Sequence, residues 1–139
     1  MNQNDNKNNT PQTAGKSRQG VSKKRNYWKY EMTFKEIDEN DVSGTVNNFG
    51  FSARVHNGEQ KYGIYGGRVS KLLIWDKKTV GVVMDYERGW RVKPLNGDIE
   101  GIMLVLVQFF NSAPNIEELP ALEGDTITIT KHYEKHYDE

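Results

Sequence analysis

The stretch DIEGIMLVLVQFFN, residues 98–111, decides between two folds. As a helix it makes the chain an α+β protein; as a buried strand it makes it all-β. Ile99, Ile102, Met103, Leu106 and Phe110 recur at helical spacing. Asn96 to Asp98 offer a cap in front of them, and Ser112 with Pro114 close the segment behind. Against this, Val105 and Val107 are β-branched and the run is apolar all round, as a strand buried on both faces would be. The caps favour the helix; the strand is the competing reading.

From Tyr27 up to this stretch, the segments between turns have the period of a sheet. Trp28, Tyr30, Met32 and Phe34 alternate with Lys29, Glu31, Thr33 and Lys35, which predicts a half-buried strand. Asp38 to Asp41 is a loop. Val42 to Val46 and Phe51 to Val55 read as a hairpin across Asn47, Asn48 and Gly50, with Phe51, Ala53 and Val55 on one face and Ser52, Arg54 and His56 on the other. Asn57-Gly58 signals a tight primed turn, after which Tyr62 and Ile64 continue the sheet. Leu72 to Trp75 and Val80 to Tyr86 are strands joined by a turn at Asp76 to Thr79. Arg88-Gly89 turns again into Trp90 and Val92, and Pro94 marks the strand end, since proline donates nothing to a ladder. Beyond the helix and a loop at 114–122, Glu123-Gly124-Asp125 turns into a last alternating strand, Thr126 to Thr130. The expected fold is α+β: an antiparallel β-meander of about six or seven strands with one helix packed on the sheet.

Length and charge set the organisation around this body. Residues 27–131, about 105 in number, are enough for one core and one domain. Nineteen Lys and Arg cancel nineteen Asp and Glu, but unevenly. Residues 1–30 carry seven basic residues and one Asp, whereas residues 112–139 carry seven acids and two Lys. The first 26 residues are Asn, Gln, Ser, Gly and Lys with one aliphatic residue, Val21, so they read as a disordered basic arm. Its cations, Lys16, Arg18, Lys23, Lys24 and Arg25, suit either a nucleic-acid-binding arm or a solvated tail. Residues 132–139 form an acidic, His-containing tail. The chain has no Cys, which excludes disulfides, thiolate metal sites and a cysteine nucleophile. MNQNDNKNN lacks the pattern of a signal peptide, and Ile102 to Val107 is far short of a membrane span. A cytoplasmic protein with no membrane partner is expected.

Three motifs carry candidate chemistry. GIYGGRVSKLLIWD, residues 63–76, sets three glycines before Arg68, Ser70 and Lys71. A Walker loop would need Gly-Lys-Ser or Gly-Lys-Thr opening a helix; here the order differs and a strand follows, so the ATPase reading fails. Two readings stay open for Gly66-Gly67: a corner whose backbone amides complement an anion, or a turn that uses glycine for its backbone freedom. On a regular strand Arg68 and Ser70 share one face, and Val69 and Lys71 the other. DYERGW, residues 85–90, groups Tyr86, Arg88 and Trp90, with Arg91 adjacent; these either stack a base or anchor an interface, or simply pack across strands. His132, Glu134 and His136 share a face on a strand, and the two histidines lie one turn apart on a helix; they are weak metal candidates at a chain end that frays. No nucleophile elbow, close carboxylate pair or His spaced with Ser or Asp is present, so the chain reads as non-catalytic, and no cofactor is expected.

Gly63, Ile64, Gly66, Gly67, Arg68, Val69, Ser70, Lys71 and Leu72, followed by Tyr86, Arg88, Gly89 and Trp90, resemble a family of small domains encoded by phages, prophages and other mobile elements of bacteria. Its members carry a GIxGGR(V/I)SKL run and a YxRGW run, and the resemblance covers about residues 43–111. It implies a context and brings no activity. In that context the expected function is that of an accessory protein binding a host protein or a protein–nucleic acid complex, with inhibition of host defence in view. Two alternatives stay beside it: direct nucleic-acid binding by the arm and the aromatic hairpin, and a small anionic ligand such as a nucleotide at Gly66-Gly67. The sequence leaves oligomeric state open.

Overall fold

The computed structural model describes residues 27–132, and side chains from Trp28 to Lys131. The arm cations Lys16, Arg18, Lys23, Lys24 and Arg25, with Glu134, His136 and the side chain of His132, lie outside the described residues. Tyr30–Ile129 form the larger of two compact units; the described residues 27–29 and 130–132, outside it, are extended strand.

Seven strands build one antiparallel sheet: β1 Tyr27–Asp38, β2 Asp41–Val46, β3 Phe49–Val55, β4 Val69–Asp76, β5 Val82–Glu87, β6 Trp90–Val92 and β7 Thr126–His132. Their order across the sheet is β6-β5-β4-β3-β2-β1-β7. Strands β1 to β6 are thus a meander, and β7 returns after the helix to the far side of β1. Met32 and Phe34, Phe51 and Ala53, Leu72 and Ile74, and Met84 and Tyr86 fall on one face, as the period-two pattern requires, and all are buried.

Gly97–Ser112 is the helix α1. Asn96 caps it, its side-chain oxygen accepting the Ile99 N–H at 3.0 Å, and Asp98 and Glu100 sit favourably in the positive first turn. The β-branched Val105 and Val107 do not unmake the helix, because their side chains and those of Ile99, Ile102, Met103, Leu106 and Phe110 are buried. Tertiary burial outweighs the few tenths of a kcal/mol of propensity that valine costs in a helix. The centre of the core is aromatic: Phe34, Phe51 and Phe110 meet pairwise edge to face, with ring centroids 6.2–6.5 Å apart.

Three local expectations are corrected. Gly50 is not in the β2–β3 turn, which Asn47 and Asn48 make alone, with Asn47 at φ 53°. It lies inside β3, opposite Thr45 and Trp75, where a Cβ would fall on the Trp75 indole. Asn57-Gly58 is not a primed turn, since neither residue has positive φ. Asn57 instead accepts the Ile116 N–H at 2.7 Å, tying this loop to the segment after the helix. Tyr62 and Ile64 do not continue the sheet: Ile64–Gly66 is a 3-10 turn that buries Ile64 and turns Tyr62 and Tyr65 outward.

Candidate interaction surface

The glycine-rich stretch that suggested a phosphate cradle is the place where the helix end is fastened. Gly66 takes φ +71°, a conformation that suits glycine, and a Cβ on Gly67 would strike the Asn111 side chain. The amides a phosphate would need are donated within the protein: Gly63 N–H to the Gln60 carbonyl, Gly66 N–H to that of Gly63, Gly67 N–H to that of Ile64, and Arg68 N–H to Asn111 Oδ1. Arg68 itself is only 9% exposed. Its Nε donates to the His56 carbonyl at 2.6 Å, Nη1 to the Ala113 carbonyl at 2.6 Å and Nη2 to the Pro114 carbonyl at 3.0 Å. The last two acceptors lie just past the negative end of α1, where a buried cation is stabilised and orphan carbonyls need donors. Gly66, Gly67 and Arg68 therefore form a structural clamp rather than an open anion site.

The strand that follows departs from strict alternation. Val55 pairs with Val69 but Arg54 with Lys71, so Ser70 is the extra residue of a bulge. Val69 is buried while Ser70 and Lys71 are both half-buried. The bulge brings Ser70 Oγ within 2.8 Å of His56 Nε2, a contact that no sequence spacing announced. Burial, and secondarily the Arg54 charge, hold the His56 imidazole below its ordinary pKa of 6.5. Among the described residues no hydrogen bond from a carboxylate to this imidazole accompanies the Ser70 contact.

The second motif is placed differently. Arg88 occupies the turn between β5 and β6 at φ 58°, its N–H donating to the Ser70 carbonyl at 2.9 Å. Its guanidinium lies 5.2 Å from the centroid of the Tyr62 ring, and Lys61 Nζ lies 5.4 Å from the same ring. Tyr86 is buried, donates its hydroxyl to the Tyr62 carbonyl at 2.8 Å and meets the Trp90 ring edge to face at 5.0 Å. Trp90 remains more than a third exposed. Arg91 is paired with Glu87 at 2.7 Å. A short step along the same loop, Tyr65 is 68% exposed and held at φ 55°. The fold thus joins the two motifs into one ridge: Tyr62, Arg88 and Trp90 outside with Tyr86 beneath as support, and Tyr65 exposed three residues along the chain from Tyr62. Sequence reasoning found Arg88 and Trp90 but missed Tyr62, which it assigned to a strand with Ile64, and Tyr65, which it did not single out.

Among the described residues no group of three His, Asp or Glu side chains is placed to hold a metal. No helix among them is long and apolar enough to cross a membrane.

Fold and surface together define a small helix-backed antiparallel sheet whose loops on one side present an aromatic and basic ridge. The chain belongs to a family described as a domain of unknown function, DUF7678, whose model matches residues 40–111, more than half of the chain. That span holds Gly66, Gly67 and Arg68, the ridge and all of the helix but its last residue, Ser112. No curated protein and no solved structure matches the chain.

Proposed function

We propose that this chain is a non-catalytic accessory protein of a phage or other mobile element, acting in the cytoplasm of a bacterial host. It binds a host protein or a protein–nucleic acid complex through the Tyr62, Tyr65, Arg88 and Trp90 ridge, and inhibition of a defence complex is the outcome such binding serves. The observation that carries the reading is the backbone of Tyr65 and Arg88. Both sit in the left-handed region, at a cost of order 1–3 kcal/mol each, and both lie in loops that place aromatic and guanidinium groups together at the surface. Tyr, Trp and Arg are the residue types that anchor protein interfaces, through large area and few rotors. The mobile-element context rests on the GIYGGRVSKL and YERGW runs.

The nucleic-acid reading is favoured by one contact, the Arg88 guanidinium over Tyr62, an arrangement that also stacks bases. Fluorescence anisotropy with labelled single-stranded DNA, duplex DNA and RNA at two salt concentrations separates the two. Binding that falls steeply with salt and is lost in Trp90→Ala supports nucleic acid. No binding, together with capture from host lysate of one protein that Arg88→Ala and Trp90→Ala both lose, supports the protein partner. Capture that neither substitution affects refutes the ridge.

A further inference from the structure

A different observation, at the other end of β5, carries a second surface. Four of the eight large hydrophobic side chains exposed among the described residues gather there: Val80 at 72% exposure, Val82, Val92 and Leu95 at 68%. Val82 starts β5; Val92 on β6 pairs with Asp85, three residues further along β5, and the Leu95 N–H donates to the Val83 carbonyl at 3.0 Å, so segments separated in sequence meet along one sheet edge. Val80 has φ 64°, a strained position for a β-branched residue. The turn holds it there firmly. Asp76 Oδ1 accepts the Lys78 and Thr79 N–H groups, Thr79 Oγ1 accepts that of Gly81, and the Val80 N–H donates to the Asp76 carbonyl at 2.7 Å. Lys77, Lys78 and Lys93, all exposed, flank these aliphatic side chains.

We propose that this turn docks on the surface of an anionic lipid bilayer. The four aliphatic side chains enter the headgroup boundary while the three lysines, with long flexible stems and hydrated ammonium groups, meet lipid phosphates. Composition selects the bilayer over a protein. Lysine is depleted in protein interfaces, whose anchors are the Tyr, Trp and Arg of the opposite end. Addition of another strand is disfavoured too, because Lys93 and Pro94 blunt this edge. The sequence alone gives no membrane signal here, since Val80, Val82, Val92 and Leu95 never form an apolar run. A peripheral contact of this kind needs none.

The test is co-sedimentation of the full chain with vesicles of phosphatidylcholine alone and of phosphatidylcholine mixed with phosphatidylglycerol. Binding to the anionic vesicles only is expected, reduced about tenfold or more in Val80→Asp/Leu95→Asp and in Lys77→Gln/Lys78→Gln. The side chains of the lysine pair are exposed, and this variant serves if the aspartate variant fails to fold, which circular dichroism reports. Because both variants keep the N-terminal arm, retained binding would assign the affinity to the arm and overturn the proposal. Equal binding to both vesicle types, or none, would do the same. So would a wild-type oligomer by light scattering that the variants dissolve, which would make the patch an interface between copies. None of these outcomes touches the ridge, whose variants lie at the opposite end of β5.

Discussion

The two ends of strand β5, about 17 Å apart, use similar residues for opposite purposes. At one end a glycine-rich run and an arginine are turned inward: Arg68 spends its guanidinium on three carbonyls and fastens the helix. Beside it, Arg88 is turned outward over a tyrosine ring and fastens little. At the far end the tight turn spends its polar groups on itself and leaves Val80 in solvent. Residue type therefore did not decide role. What decided it was whether an unsatisfied backbone acceptor lay within reach.

The largest effect should come from breaking the clamp. Arg68→Ala leaves the Ala113 and Pro114 carbonyls without their donor, and urea unfolding should show a loss of about 3 kcal/mol, against less than about 0.5 kcal/mol for Arg88→Ala. Arg68→Lys should recover little, because an ammonium cannot span the acceptors a planar fork reaches. Equal losses for the two alanine variants would erase the contrast between the arginines.

Trp90→Ala sharpens it from the other side. The captured partner should bind at least about 30-fold more weakly, a hot-spot effect of about 2 kcal/mol, while stability drops by about 1 kcal/mol from the lost Tyr86 contact. A stability loss without an affinity loss would make Trp90 packing alone.

Val80→Asn should raise stability by about 1 kcal/mol, since asparagine tolerates the left-handed backbone that valine resists. Thermal unfolding reads this directly, and a destabilised variant would mean that the valine is held by packing rather than merely displayed.

The smallest effect is on pH. The folded state holds His56 below its ordinary pKa of 6.5, so the unfolded chain takes up the proton first as pH falls. The contribution is complete above pH 6.5 and is lost as pH falls through it toward the depressed folded value. His56→Asn should flatten the stability profile in that range; an unchanged slope would assign it to other groups.

The strands and the helix were legible because each is written in neighbouring residues: the alternation of Trp28 to Lys35, the cap at Asn96, the spacing of Ile99 to Phe110. Turn chemistry was read less well. Gly50 was counted with Asn47 and Asn48 in the β2–β3 turn, which the two asparagines make alone, and Asn57 was read as a turn former when its side chain accepts the Ile116 N–H. The site was half legible. Arg88 and Trp90 stood out as a local run, whereas Tyr62 was assigned to a strand and Tyr65 was not singled out.

Local periodicity thus determined the fold class of this protein, the number of strands to within one, and the one helix, because hydrophobic spacing and caps act between residues a few positions apart. Which arginine is buried and which is displayed was settled by the tertiary structure alone. Three partners of Arg68, Asn111, Ala113 and Pro114, lie 43 to 46 residues away at the end of the helix, and no local pattern encodes that a carbonyl there will need a donor.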